Sequence, residues 1–527
     1  MMAAETIQQG RAVLGIELGS TRIKAVLVDE VNAVLATGSH EWENRYEGGH
    51  WTYHEDEIWS GLAACYADLK ADVLARYGVT LAQLGALGVS AMMHGYLALD
   101  ADGKLLVPFR TWRDTTTTVA AQELSALFEF HVPERWSVSH VYQAILDGEE
   151  HVPSISRLTT LAGLVHLRLT GEHVLSVGDA SGMFPIDSAT RGYDDMMLRK
   201  FDGISATHGV PWTLAELLPR IALAGEEAGR LTPEGAILLD PSGDLQAGCP
   251  LCPPEGDAGT GMIATNSVAP GTGNVSAGTS VFSMVVLERP LADRTAPEID
   301  LVTTPCGDEV AMVHCNNCTS DINAYVGLLC EFAEVMSVPV DRGEAFTKLF
   351  NLALSAEPDA GGVTAMPFVS GETIMGVSEG RPLLMREPGV ALTLPRLMRA
   401  SVMGAFAALA AGNEAIREQG VRIGRITGHG GIFKTPLVAQ RLLAAALDAP
   451  VVVMETAGEG GAWGQAVAAN YLLHGRGRSL STYLSEEVFS DMRQQLVEPS
   501  PADVEGFASY LACYRRGCVA CKALEVR

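Results

Sequence analysis

Residues 13–30, VLGIELGSTRIKAVLVDE, alternate apolar and β-branched positions up to three small residues, Gly19-Ser20-Thr21, and then resume the alternation. That order predicts strand, tight turn and strand. The pattern returns at 273–288 as GNVSAGTSVFSMVVLE, where setting Gly19 over Gly278 aligns Ser20 with Thr279 and gives 23–28 the character of 282–287. A weak internal repeat of this kind is the mark of one supersecondary unit used twice. Hairpin tips without bulky side chains also leave backbone N–H groups open to an anion.

At 527 residues the chain exceeds what one hydrophobic core usually holds, so at least two domains are expected. After residue 225 the texture turns Gly- and Pro-rich, ending in GCPLCPPEGDAGTGMIA at 248–264, before apolar alternation resumes. The boundary is therefore placed near 262, giving domains 1–261 and 262–527. In the first, 57–78 puts Ile58, Leu62, Cys65, Leu69 and Val73 on one helical face with Gly78 as the stop, and 156–171 predicts a second helix closed by Gly171. The second holds a long helix between Pro395 and Gly420 and a strand running into Gly428, Gly430 and Gly431. A helix with Pro436 in its first turn, the strand VVVME, a glycine-rich helix entry at 459–461 and a last helix over 507–527 follow. Strands alternating with helices give an α/β class.

Thirty-seven basic against 63 acidic side chains leave a formal charge of −26. A field of that sign repels nucleic acid and anionic lipid, which removes both as expected partners. An anionic metabolite must then be held by local N–H groups, a metal ion or a few well-placed cations. No apolar run approaches the roughly 18 residues of a membrane helix, and the opening residues lack the basic flank and apolar stretch of a signal peptide, so a cytoplasmic protein is expected. Three Cys-x-x-Cys pairs, Cys249/Cys252, Cys315/Cys318 and Cys518/Cys521, stand much farther apart than the roughly 15 to 20 residues between the pairs of a zinc ribbon. Reduced, partly buried thiols are the expectation.

Phosphate needs backbone N–H groups and glycines that let the chain approach its oxygens. No Gly-x-x-x-x-Gly-Lys-Ser/Thr loop occurs, and the Gly-x-Gly-x-x-Ala at Gly259, Gly261 and Ala264 follows no strong strand, which disfavours a P-loop and a Rossmann site alike. Two hairpin tips and two glycine-rich strand-to-helix turns remain. Taken alone, each glycine reads equally as a turn residue. Asp257 reads as a turn or helix cap, and Asp114 equally as a cap on the four threonines after it; Lys24 and Lys434 read as solvated lysines, and His94 as a structural histidine.

In their order these motifs resemble the FGGY family of carbohydrate kinases, members of the wider actin and hexokinase-like superfamily. The family's first phosphate motif resembles Glu17-Leu18-Gly19-Ser20-Thr21 with Lys24, and its glycine-rich Gly-Asp segment resembles Gly256-Asp257-Ala258-Gly259. Its second phosphate loop resembles Gly278-Thr279-Ser280, and its adenosine-side glycines resemble Gly428-His429-Gly430-Gly431. Met92-Met93-His94-Gly95 is similar to the Gln-Met-His-Gly segment of the family's xylulokinase branch. Glu17 stands where the family usually has Asp, Met92 where it has Gln, and the Lys-x-Trp signature is missing around 142–151.

The resemblance implies two ribonuclease-H-like α/β domains with the active site in the cleft between them, ATP and Mg²⁺ as cofactors, and a small sugar as partner. Asp257 would be the general base that takes the proton of a sugar hydroxyl, the service that phosphoryl transfer through a loose transition state requires. Asp244, in PSGDLQ, is the fallback. Glu17 would orient Mg²⁺ through water. Gly19, Ser20, Thr21, Lys24, Gly278, Thr279, Gly430, Gly431 and Lys434 would hold ATP, and Met93, His94, Trp112 and Asp114 would line the sugar. The implied reaction turns D-xylulose into its 5-phosphate, with ribulose or another polyol as alternative acceptors. An actin-like or chaperone-like ATPase and an inactive sugar-binding regulator are the readings of a different class. A dimer is the default oligomer.

Overall fold

The structure, a computed structural model, describes residues 2–454, 460–492 and 494–524. Two compact units result: Met1–Val268 with Leu301–Val310 and Glu459–Asp491, and Ala269–Asp300 with Ala311–Gly458 and Met492–Arg527. The main break falls after Val268 and not after 261, because a break at 261 would cut the helix Asp257–Ala264. Glu459–Asp491 counts with the first unit although sequence order places it in the second.

In the first unit the strands run in the order Gly229–Arg230, Pro250–Leu251, Ala86–Ala91, Val13–Leu18, Arg22–Val28 and Val34–Glu41, with Glu255–Gly256 also paired to Ala86–Ala91. Val13–Leu18 is antiparallel to Arg22–Val28 and parallel to Ala86–Ala91, and Glu255 and Gly256 lie parallel beside Ser90 and Ala91. Three chains therefore end at one carboxyl edge, the edge at which open α/β sheets bind ligands. The helix Glu55–Tyr77 buries Ile58, Leu62, Cys65, Leu69 and Val73 and stops at Gly78, whose φ of 68° only glycine adopts without strain.

Small residues decide what lies on that sheet. A Cβ on Gly15 would come within 2.1 Å of Ala462 O, and one on Gly464 within 2.3 Å of Thr260 O. The helix Gly460–His474 thus makes backbone contact with the first strand on one side and with Asp257–Ala264 on the other. It is buried from Gly461 to Asn470, and its side-chain NH₂ groups find partners: Gln465 Nε2 donates to Val89 O at 3.0 Å and Asn470 Nδ2 to Asp29 O at 2.8 Å. Leaving either NH₂ unpaired there would cost about 1–3 kcal/mol.

Two helices begin later than their sequences suggest. Arg157–Thr159 pairs as a strand with Leu97–Leu99, after which Thr160 accepts the Gly163 N–H and starts the helix Leu161–Thr170. Pro436 stands ahead of the helix Val438–Leu447, separated from it by Leu437 at φ 70°.

The second unit repeats the hairpin-plus-parallel-neighbour arrangement. Its strands run Glu309–Cys315, Val281–Val286, Thr272–Ala277, Arg425–His429, Val451–Met454 and Gln494–Val497, with Thr272–Ala277 antiparallel to Val281–Val286 and parallel to Arg425–His429. Its last helix, Pro501–Ala523, is tied to Leu394–Glu418 by the buried pair Arg399 and Asp503 at 2.7 Å. All ten cysteines are free thiols. Among the described residues no helix is long and apolar enough to cross a membrane.

Candidate active site

Asp257 follows the strand Glu255–Gly256 and opens the helix Asp257–Ala264. A Cβ on Gly256 would lie 2.1 Å from Met93 Cγ, so only glycine lets the two segments pass. Their proximity brings the Met93 N–H to Asp257 Oδ1 at 3.2 Å. The Asp257 side chain touches solvent, yet the protein around it withholds enough water to push the carboxyl up to about 6, against the pull of the N–H groups of Met93, Ala258 and Asp257 itself. A carboxylate so tuned can accept a proton near neutral pH and release it again. Asp244, the fallback, is exposed and pairs with Lys70 Nζ at 2.9 Å, which the buried Asp240 also holds.

Glu17 and Lys24 face each other across the first hairpin. Burial raises the Glu17 carboxyl; Lys24 lowers it, the charge of Asp257 raises it further, and the N–H of Ala462 lowers it. Since Ala462 lies in the first turn of Gly460–His474, the Glu17 carboxylate also caps that helix. Gly461 makes the room, because a Cβ there would come 2.4 Å from Glu17 Oε1. Two neighbouring carboxylates, one balanced by a lysine, suit a hydrated Mg²⁺, which binds through one or two carboxylates, water and phosphate oxygens. Among the described residues no three His, Cys, Asp or Glu side chains gather into an all-protein cage.

At the first tip every carbonyl is held from behind. Gly19 O accepts Trp42 Nε1–H at 2.7 Å, Ser20 O accepts the Tyr53 hydroxyl at 2.6 Å, and Thr21 O accepts the Trp42 N–H at 3.2 Å. Planar peptides fixed by their carbonyls turn their N–H groups the opposite way. Trp42 and Tyr53 stack with centroids 4.2 Å apart, and Trp112 Nε1 reaches Ser20 Oγ at 3.4 Å. Trp42 and Tyr53 were not legible as site residues, since nothing local marks a side chain that acts on a turn 23 or 33 residues away.

Met93 and His94 are both buried. His94 sits at φ 72° with Nδ1 3.2 Å from Gly182 O, and Gly182 leaves space for its ring. Beyond them Tyr96 bridges to Arg110, and the Thr111 N–H donates to Trp51 O at 2.9 Å, which brings the segment carrying Trp112 and Asp114 alongside. Asp114 departs from its expected role as a hydroxyl acceptor. Its side chain has no exposed surface; Oδ1 accepts the Thr116 N–H at 2.9 Å and hydroxyl at 2.6 Å, and Oδ2 lies 2.5 Å from His50 Nδ1. A carboxylate enclosed in this way holds an imidazole.

Two further carboxyls, which sequence reasoning missed, lie behind Asp257. Glu255 accepts the Ser176 hydroxyl at 2.5 Å and the Gly256 N–H at 2.9 Å, and burial pushes it up to about 7. Asp179 accepts the Thr160 hydroxyl at 2.6 Å and is held well above the usual carboxylate range by burial and then by Glu255.

In the second unit Gly278 and Thr279 are exposed. Gly278 O accepts the Thr319 hydroxyl at 2.6 Å and N–H at 3.2 Å, and Thr279 O accepts the Cys318 N–H at 2.9 Å. The loop Asn316-Asn317 that precedes them is anchored through its N–H groups on Glu372, a carboxyl that burial pushes up to about 7. Gly430, at φ 111°, passes so close to Ala277 O that a Cβ would stand 2.1 Å from it, while the Cβ position of Gly431 is open. The Gly430-Gly431 turn and the second tip therefore adjoin, with space that suits a phosphate chain. Lys434 is exposed at the end of the turn Gly431–Lys434.

Residues 12–241 match the N-terminal domain, and residues 273–473 the C-terminal domain, of the FGGY family of carbohydrate kinases. Xylulose kinase of Haemophilus influenzae is 24% identical over 482 residues, covering 87% of this chain and 90% of that one. The match to xylulose kinase of Escherichia coli, 26% identical, spans about half of each protein, 52% of this chain and 54% of the relative. A glycerol kinase of Beutenbergia cavernae is 24% identical over 68% of this chain and 69% of its own length. Ligand-bound xylulose kinase from Lactobacillus acidophilus matches with a TM-score of 0.77 at 17% identity, over 97% of this chain and 99% of that one, so the two-domain actin- and hexokinase-like fold is shared.

Proposed function

The chain belongs to the FGGY family of carbohydrate kinases, and from that premise we propose that it transfers the terminal phosphoryl group of ATP to a ketopentose, D-xylulose being the leading acceptor, to give ADP and the sugar 5-phosphate. The observation that carries this reading is Asp257: a carboxylate at the carboxyl edge of the sheet, touching solvent, beside Met93 and pushed up to about 6. A sugar hydroxyl is a poor nucleophile until its proton leaves. Asp257 takes that proton as the bond to phosphorus forms and returns it to water afterwards.

Glu17, balanced by Lys24, would hold Mg²⁺ through water, and the bound ion supplies neutralisation of charge on the phosphate oxygens. Ser20 and Thr21 offer N–H and hydroxyl donors at the first tip, around Gly19. Gly278, Thr279, Gly430 and Gly431 offer the same kind of contact in the second unit, with Lys434 as a peripheral cation. The first unit would thus carry sugar binding and the second the nucleotide. Met93 packs its thioether against the carbon chain, with His94 and Trp112 beside it. D-Xylulose is preferred because of the Met93-His94-Gly95 segment and the xylulose kinases among the relatives; glycerol or another polyol is the second reading, favoured by the glycerol kinase match.

A coupled ADP-release assay over pentuloses, polyols and glycerol tests the reading. ADP release stimulated by one sugar is expected. Equal release without any sugar would support an actin-like or chaperone-like ATPase, and sugar binding without release an inactive regulator.

A further inference from the structure

Residues 316–319 join the strand Glu309–Cys315 to the helix Ser320–Val335. Their four consecutive N–H groups divide two and two. Asn316 and Asn317 donate to Glu372 Oε2 at 3.0 and 3.2 Å, while Cys318 donates to Thr279 O at 2.9 Å and Thr319 to Gly278 O at 3.2 Å. One short segment therefore links a carboxylate to the second hairpin tip. It takes the place of the direct side-chain tethers, Trp42 and Tyr53, that hold the first tip.

Glu372 is itself firmly held. It is 1% exposed, and Asn317 Nδ2 brings a third donor to the same Oε2 at 3.1 Å. The chain that carries it doubles back: Glu372 and Val377 exchange N–H···O bonds at 2.7 and 3.0 Å, and a Cβ on Gly371 would stand 2.5 Å from Ser378 O. The same two asparagines stitch this loop to their own, Asn316 Nδ2 donating to Gly371 O at 2.9 Å and Asn317 Oδ1 accepting the Ser370 N–H at 3.0 Å. All three donors converge on one oxygen, so a neutral carbonyl at that spot serves them as a carboxylate does. Without an acceptor there the buried Asn317 N–H has no partner, and the segment must shift to find one. Such a shift pulls the next two N–H groups off Thr279 O and Gly278 O, and the planar peptides of the tip lose their direction.

We infer that Glu372 is a positioning residue for the nucleotide: acting through residues 316–319, it fixes the Gly278-Thr279 tip that would receive the phosphate chain of ATP, without touching the nucleotide itself. This rests on the kinase reading above and adds to it a residue that sets nucleotide affinity and leaves sugar affinity alone.

The test measures ADP binding by calorimetry and steady-state ADP release with D-xylulose as acceptor, in the full-length protein. In Glu372→Ala the dissociation constant for ADP and the KM for ATP should each rise at least about tenfold, with kcat and the KM for D-xylulose within about threefold of the parent. Glu372→Asp keeps the charge but withdraws the oxygen by one methylene, so it should lose about as much; it carries the test where the alanine variant fails to fold. Glu372→Gln, whose carbonyl takes the place of Oε2, should stay within about threefold of the parent for both nucleotides. Thr319→Val added to Glu372→Ala should raise the KM for ATP no further, because the tether it weakens is already released. Nucleotide affinity within about twofold of the parent in Glu372→Asp, equal rises in KM for ATP and D-xylulose, or a Gln variant as impaired as the Asp variant would overturn the assignment. ADP affinity that depends on Glu372 without sugar-stimulated release would sink the kinase reading alone, and sugar-stimulated release with an unchanged KM for ATP in Glu372→Asp would sink this inference alone.

Discussion

The tip at Gly19-Ser20-Thr21 and the tip at Gly278-Thr279-Ser280 both have their carbonyls tied from behind, but by different donors. Two distant aromatic side chains, Trp42 and Tyr53, hold the first. Backbone N–H groups and one hydroxyl at Cys318-Thr319 hold the second. The second turn is also tighter, since Ala277 pairs with Val281 whereas Leu18 pairs with Ile23. At the base of the first hairpin Glu17 opposes Lys24, while in the second Ser276 opposes Phe282. Presenting N–H groups to a phosphate thus needs only a tethered small-residue turn, and charge is added at one tip alone, beside Asp257. On the proposed reading, metal and proton chemistry would belong to the first unit, and the second would supply backbone donors with Lys434 at their periphery.

Of the changes that set the two tips against each other, removing that added charge should do the most damage. Glu17→Gln is expected to lower kcat by about 10²-fold, whereas Ser276→Ala in the counterpart hairpin should cost less than about threefold in the same steady-state assay. Comparable losses would erase the distinction between the tips. Next comes pH. Asp257 works deprotonated, so with its carboxyl pushed up to about 6 activity is present above that value, and kcat/KM should fall about tenfold per pH unit below it. Glu17→Gln and Ser276→Ala should both leave this limb in place, because burial and not a neighbouring charge pushes the Asp257 carboxyl up. The smallest effects concern the tethers. Tyr53→Phe frees Ser20 O and should raise the KM for ATP about fivefold, while Thr319→Val should raise it about twofold, since Gly278 O keeps the Thr319 N–H.

What could be read from the sequence was local. Alternation ending in small residues gave both hairpins, and glycines at strand ends gave the Gly430-Gly431 turn and the approach of Asp257 to the sheet edge. What escaped was set by contacts without local period. Gly15, Gly461 and Gly464 look like ordinary glycines until a helix from late in the chain lies on the first strand. Asp114 looks like a free acceptor beside Trp112 until His50, 64 residues earlier, fills its second oxygen. Glu255 and Asp179 gave no signal, because two buried carboxyls meet only when Glu255–Gly256 and the segment after Ser176 are packed together.

Asp257→Asn, assayed for sugar binding and for ADP release in the same preparation, is the most direct test. Sugar affinity should stay within about threefold of the parent while sugar-stimulated ADP release falls about 10³-fold. Release at the parent's rate with the carboxylate gone would contradict the assignment of Asp257 as the proton acceptor.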